Sequence, residues 1–203
     1  MDESRRERKK RQTRRLIAET AVRLFAEQGY EQTTVAQIAS AADVATKTFF
    51  NHFPSKDDVL FEDTRRHRDV ALAVIADRDP RDGITELLGR VYDAMMDDYL
   101  DQGVGGRDKG LMETYTELLV SVPALQAKAL HQSVDLQRRI AEALADAFPD
   151  ELDPVSAGAV VGSMVGAVQG AALASMERDQ SQDQLFEAMR RGRDIALRGL
   201  HAF

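Results

Sequence analysis

Residues 44–60 read VATKTFFNHFPSKDDVL, gathering Thr46, Lys47, Thr48, Asn51, His52 and Lys56 around Phe49, Phe50 and Phe53, three of the chain's eight phenylalanines. These polar groups are donors and acceptors of the kind that meet nucleic acid. A lysine ammonium reaches guanine edges or phosphate, an asparagine amide pairs bidentately with adenine, and a threonine hydroxyl serves either a base or the backbone. On a helix, Phe50 and Phe53 stand three apart and share a face, with Phe49 beside them. Buried against Ile17, Leu24, Phe25 and Ile38, the aromatics would orient the helix and leave Thr46, Lys47, Asn51 and His52 outward. Lys56 would lie in the first turn of the next helix, where exposed amides and its ammonium together hold a phosphate. Any amphipathic helix shows one apolar and one polar face, so the neighbouring elements must decide between recognition and plain packing.

Those neighbours are helical. Alternating β-branched runs are absent, and Ala, Leu, Arg, Glu and Gln dominate. Ile17, Ala21, Leu24 and Phe25 fall at helical spacing, and Gly29 supplies the left-handed residue that commonly ends a helix. Thr34-Val35-Ala36-Gln37 matches a capping box and opens a helix of about two turns ending near residues 40–42. Residues 44–53 form the next short helix, stopped by Pro54. Ser55-Lys56-Asp57-Asp58 is a further cap signature that opens a long helix towards Asp77. Three short helices in about fifty residues make the layout of a three-helix DNA-binding unit, with residues 44–53 as its third helix.

Charge is distributed accordingly. The chain of 203 residues carries a net charge of −7, yet residues 1–15 hold eight Arg/Lys against three Asp/Glu, a net +5, so the remainder sums to −12. A basic end on an acidic body fits an encounter with a polyanion, and a solvated tail would show the same charge. Arg11 and Arg14 are candidates for mobile cations near phosphate. Cysteine is absent, which excludes disulfides and thiolate chemistry and agrees with a reducing cytoplasm. No apolar segment follows the basic start as a signal peptide requires, so the expected compartment is the cytoplasm. The four histidines, His52, His67, His131 and His201, lack metal-ligand spacing. No nucleophile elbow, phosphate loop, zinc pattern or paired-carboxylate motif occurs, so an enzyme is a minor alternative and neither metal nor cofactor is expected. A sequence-indifferent architectural DNA binder is a second alternative, though such a protein should be basic overall.

Residues 13–60, TRRLIAETAVRLFAEQGYEQTTVAQIASAADVATKTFFNHFPSKDDVL, resemble the DNA-binding domain of the TetR (tetracycline-repressor-like) family of bacterial transcriptional regulators. The resemblance runs through LFAEQGY, TTVAQIA and the T-F-F-x-x-F-P-S-K-x-x-L pattern, and beyond residue 60 it is one of helical layout. It implies an all-α protein: a basic flexible arm (1–12), a helix-turn-helix domain (13–60), and a larger helical effector-binding and dimerisation domain (61–203). It further implies a homodimeric repressor that a small-molecule effector releases from a pseudo-palindromic double-stranded operator. By resemblance, Thr34, Thr48, His52 and Lys56 contact the DNA backbone, while Ala45, Thr46, Lys47 and Asn51 are placed for base readout. Asp43 stands where the family often has glycine, and Asp tolerates the left-handed conformation that the turn needs. A tyrosine that the family commonly uses for phosphate falls at Phe50, which lacks the hydroxyl; His52 is the candidate substitute.

Two later stretches carry candidate sites. Tyr92, Met95, Met96, Tyr99, Met112 and Tyr115 are either core residues or, as in TetR-like regulators, the lining of an effector cavity. Gly103, Gly105, Gly106 and Gly110 mark a flexible break between helices. Residues 155–176 are uncharged and long enough to span a bilayer, but most are Ala, Gly or Ser and their flanks lack a Lys/Arg excess. Gly158, Gly162, Gly166 and Gly170 recur every fourth residue there. That stripe admits a close helix crossing in a membrane or in a soluble dimer. The resemblance favours the dimer, since the family's last two helices pair into an intersubunit four-helix bundle.

Overall fold

The computed structural model describes residues 5–103, 108–178 and 180–200. Among them run nine α-helices: α1 (Arg5–Gln28), α2 (Val35–Ala41), α3 (Thr46–His52), α4 (Glu62–Ala76), α5 (Ile84–Gln102), α6 (Lys109–Ser121), α7 (Pro123–Ala147), α8 (Pro154–Met176) and α9 (Gln182–Leu200). A 3-10 turn, Asp57–Phe61, precedes α4, and the described residues include no strand. The all-α class is as the sequence predicts. Residues 5–12, expected as a flexible arm, form the first turns of α1. Of the glycines expected to break the chain, Gly105 and Gly106 lie outside the described residues and Gly110 lies within α6.

The chain divides into two compact units. One takes in the chain up to Arg65 together with Tyr99–Ala129; the other takes in Arg66–Asp98 and the chain from Leu130 onward. The first unit is built on α1, whose Ile17, Ala18, Ala21, Val22 and Phe25 are buried on one face. Ile38 and Ala39 of α2, Phe49 and Phe53, and Val59 and Leu60 close over that face, joined by Leu111 and Leu118 of α6 and Leu125 of α7. Gly29, at φ +85°, ends α1 with its amide on the Phe25 carbonyl. The helix expected to open at Ser55 begins instead with the 3-10 turn. Its consecutive Val59, Leu60 and Phe61 are all buried, a run that one face of an α-helix does not supply.

Phe50 departs from the sequence expectation. Phe49 and Phe53 are fully buried, whereas Phe50 is 54% exposed. Phe49 lies within α3, Phe53 caps its end in extended conformation (φ −133°), and both rings reach the core, while Phe50 stands about 100° around the helix from Phe49. Arg14 is a second departure. Its guanidinium donates to the His52 carbonyl oxygen at 2.5 Å and lies 4.4 Å from the centre of the Phe53 ring. It thereby ties α1 to the negative end of α3, where the last carbonyls lack helical donors.

In the second unit, Ala71 and Ile75 of α4, Leu87, Leu88 and Val91 of α5, and Ile140 and Leu144 of α7 pack with Phe148 and Leu152 and with Ala157, Val161 and Met164 of α8. Asp153 caps α8, accepting from the amides of Val155 and Ser156, and Pro154 takes the first helical position. Helices α8 and α9 pack along their lengths. Their close approach occurs at Gly192, where a Cβ would fall 2.5 Å from the Ala167 carbonyl oxygen and 3.0 Å from the Ala171 Cβ.

Arg14→Ala should lower unfolding free energy by about 1–2 kcal/mol through loss of the cap and the ring contact. Arg11→Ala, at an exposed position on α1, should stay within about 0.5 kcal/mol; urea denaturation checks both. Gly192→Ala should destabilise by about 1–3 kcal/mol because the helices must separate. Gly199→Ala in the same helix, where a Cβ meets open space, should cause no loss.

Candidate nucleic-acid interface

The geometry of α3 is set from α2 onward. Thr34 and Gln37 form the capping box: the Gln37 amide donates to Thr34 Oγ1 (3.3 Å) and the Thr34 amide donates to Gln37 Oε1 (2.8 Å). After α2 the chain reverses at Asp43, whose φ of 51° is the left-handed value that the turn requires. Its neighbour Val44 donates to the Ala39 carbonyl (2.9 Å). Ala45 then caps α3, its carbonyl accepting from Thr48 (2.8 Å) and Phe49 (3.1 Å). Ala45, Thr46, Lys47 and Asn51 are exposed, and Thr48 and His52 are half-buried. Positions 46 and 50, 47 and 50, and 47 and 51 stand three or four apart, so the four share one outward face. That face offers an ammonium, an amide, a hydroxyl and apolar carbon, the set of groups that distinguishes base edges in a major groove.

The residues expected to touch the DNA backbone are more heavily committed within the protein. Lys56 donates to the Tyr30 carbonyl (2.7 Å), and its ammonium lies 4.1 Å from the centre of the Tyr30 ring. The Tyr30 hydroxyl donates to Asp57, and burial together with that bond raises its pKa. Ser55 donates to Asp58 Oδ2 (2.6 Å), and Lys128 of α7 pairs with Asp58 Oδ1 (2.7 Å). Burial alone would raise the Asp58 carboxyl; the Lys128 and Ser55 bonds outweigh it and hold its pKa below the ordinary value. The Thr34 hydroxyl donates to Gln37 Oε1. His52 is pushed below the usual imidazole value by burial and by the charges of Arg14 and Lys10, and its Nδ1 is buried without a hydrogen-bond partner. It is the last residue of α3. Arg11 is exposed on α1 among Arg8, Lys9 and Lys10.

The six effector candidates fall in different units. Tyr92, Met95 and Met96 belong to the second, with Tyr92 buried and the Arg193 guanidinium 5.0 Å from its ring centre. The Tyr92 hydroxyl is buried with no hydrogen-bond partner, and burial pushes its pKa up to about 12. Tyr99, Met112 and Tyr115 belong to the first unit, where Tyr99 donates to Met112 Sδ (2.5 Å) and Tyr115 to the Leu60 carbonyl (2.8 Å). A groove of about 360 Å³ between α5 and α9 is lined by Thr85, Glu86, Asp93, Arg193 and Leu197 among others, and by none of the six.

The glycine stripe is open. A Cβ at Gly158, Gly166 or Gly170 would meet nothing within 4 Å, and one at Gly162 would meet only Gln137 Oε1, at 3.7 Å. By length and composition α8 is apolar enough to cross a bilayer. It also sends Ala157, Val161 and Met164 into the core of its unit.

Sequence hints at the missed features were present but indirect. Arg14 lies three residues before Ile17 on the apolar stripe of α1, the place from which a long side chain reaches over the core. Nothing local distinguished Gly192 from Gly199, the two glycines of α9.

Known proteins agree with this geometry. Residues 17–62 match the family model described as bacterial regulatory proteins, tetR family, and residues 86–201, more than half of the chain, match the MftR C-terminal domain. The transcriptional regulator TcmR of Streptomyces glaucescens is 32% identical over 148 residues. That stretch is 73% of this chain and 66% of TcmR, just under two thirds of its length. Among solved structures, Thermus thermophilus FadR, a TetR family repressor in complex with lauroyl-CoA, is 24% identical with a TM-score of 0.50 over 91% of this chain and 93% of that one. SmeT, the repressor of the Stenotrophomonas maltophilia multidrug efflux pump SmeDEF, is 18% identical with a TM-score of 0.53 over 92% and 89%. Both likenesses are of fold. With the three-helix head matched by one model and most of the remaining helices by the other, the chain belongs to the TetR family of bacterial transcriptional regulators.

Proposed function

We propose that the protein is a cytoplasmic, non-enzymatic repressor. Two copies pair and place their α3 helices in the half-sites of a pseudo-palindromic operator, and a small molecule releases them. Residues 13–60 serve as the DNA-binding domain, extended by the basic residues 1–12, and residues 61–203 bind the effector and form the dimer. The observation that carries the reading is the two-faced α3 with its caps: Phe49 and the capping Phe53 buried, the capping Ala45 and Thr46, Lys47 and Asn51 outward. In this scheme Lys47 and Asn51 read bases with Ala45 and Thr46 beside them, and Arg11, Arg14, Thr34, Thr48, His52 and Lys56 surround the phosphates.

Pairing is supported from two sides. Regulators of this family bind DNA operators and small-molecule ligands and act as dimers. In this chain, open Gly158, Gly166 and Gly170 accompany exposed Val155 and Leu173 on α8 and exposed Ile195 on α9. Apolar surface of that extent is better covered by a second copy than left in water. A helix of seven residues reaches few base pairs, so two should sit about 34–36 Å apart or a multiple of that. For the effector, the buried, unpartnered Tyr92 hydroxyl is a polar atom that a ligand would satisfy. Lauroyl-CoA on FadR and triclosan on SmeT are ligands of that broad kind in proteins of similar fold.

Operator duplexes selected from a random-sequence library by the full chain test the reading. Lys47→Ala and Asn51→Ala should each lose about 1–3 kcal/mol on the selected duplex and relax the preference at one position. Arg11→Ala should weaken all duplexes alike and reduce the salt slope by about one unit. Identical patterns for Lys47→Ala and Arg11→Ala would reject the division between readout and anchoring.

Gly166→Leu should weaken the dimer in sedimentation and abolish operator binding while α3 is untouched, since overpacking costs about 1–3 kcal/mol for each of two copies. A variant that stays dimeric with undiminished affinity would remove the glycine stripe from the interface. Fractionation of the wild type with membranes would instead favour a spanning α8.

A further inference from the structure

On the outward face of α3, hydrogen bonding leaves Phe50 without a task. Its ring is 54% exposed, yet it is not loosely held: it meets the fully buried Phe49 edge-on, centroids 5.5 Å apart and planes at 82°. Edge-to-face aromatic pairs favour this geometry, so the core fixes the ring through Phe49. In sequence Phe50 follows Lys47 by three residues and Thr46 by four and adjoins Asn51, placing it among the polar groups of the shared face. Leaving such a ring in water forgoes the free energy of covering it. The base edges of a major groove offer one apolar feature, the C5-methyl group of thymine.

From the DNA-reading role proposed above, we infer that Phe50 is a specificity-determining residue whose ring packs on the C5-methyl of a thymine in each half-site. It selects thymine over cytosine at that position by apolar contact, with no hydrogen bond of its own. Lys47 and Asn51 then read neighbouring base pairs by hydrogen bonding, and the methyl contact registers the helix between them.

The test removes the methyl from the DNA. Deoxyuridine replaces thymidine one position at a time in a duplex selected from a random library by the full wild-type chain, and affinities are measured for wild type, Phe50→Ala and Phe50→Leu. Covering one methyl group is worth about four-fold in affinity, hence roughly fifteen-fold when both half-sites are substituted. Wild type should lose that much at one thymine per half-site. Phe50→Ala should bind the parent duplex more weakly and be indifferent to uracil there, while Phe50→Leu keeps part of the sensitivity. Because the ring is largely exposed, both variants should show wild-type circular dichroism and melting. Indifference of the wild type to uracil at every position overturns the inference, as does equal sensitivity in Phe50→Ala, which assigns the methyl to Ala45 or Thr46. In either case the operator-reading role survives. Failure of the wild type to enrich any duplex overturns that role and this inference together.

Discussion

Phe49 within α3 and Phe53, the extended residue that caps its C-terminal end, are both fully buried against α1 and α2. A helix of seven residues is far below the length at which an isolated helix is stable in water, so α3 owes its existence to those two rings. Burying each is worth about 1.5–3 kcal/mol, and together they set the rotation of α3 about its own axis. Advancing the buried positions by one residue would turn the helix by about 100° and carry Lys47 and Asn51 off the outward face. Recognition chemistry in this protein is therefore inherited from packing. The capping box at Thr34 and the left-handed Asp43 fix where α2 ends and α3 begins, and the Arg14 guanidinium holds the far end of α3 from α1.

Positive charge in the head serves two purposes that composition does not separate. Arg14 and Lys56 spend hydrogen bonds on backbone carbonyls and lie over aromatic rings, so they brace the helices on which readout depends. Lys47 and the exposed cations at the start of α1 are disposed to face a polyanion. With residues 1–15 at +5 and the remainder at −12, the field of the chain favours approach of DNA to the basic end and disfavours it elsewhere.

Much of the head was legible because its signals are local. A Thr and a Gln three residues apart satisfy each other's amides, an Asp accepts a left-handed turn, and a proline stops a helix, whatever surrounds them. What escaped depended on the third dimension. Phe50 was grouped with its neighbours because positions 50 and 53 also share a face; which of two overlapping faces is buried is decided by α1 and α2. Arg14 looked like a mobile cation because its acceptor, the His52 carbonyl, is 38 residues away. The regular Gly158–Gly170 spacing drew attention to α8, while the close α8–α9 approach is made by Gly192, whose role exists only once Ala167 lies opposite it. The effector candidates were the least legible, since Tyr and Met suit a core as well as a cavity.

Amide hydrogen exchange across residues 44–53 of the full chain, with and without a duplex selected from a random library, tests most directly whether a core-seated α3 is the DNA-reading element. The expected result is slowed exchange in these residues on the selected duplex, with little change on a scrambled duplex at equal ionic strength. Exchange that is unchanged across 44–53 while slowing only at the basic turns of α1 would contradict the account, because it would mean that the chain meets DNA through charge alone.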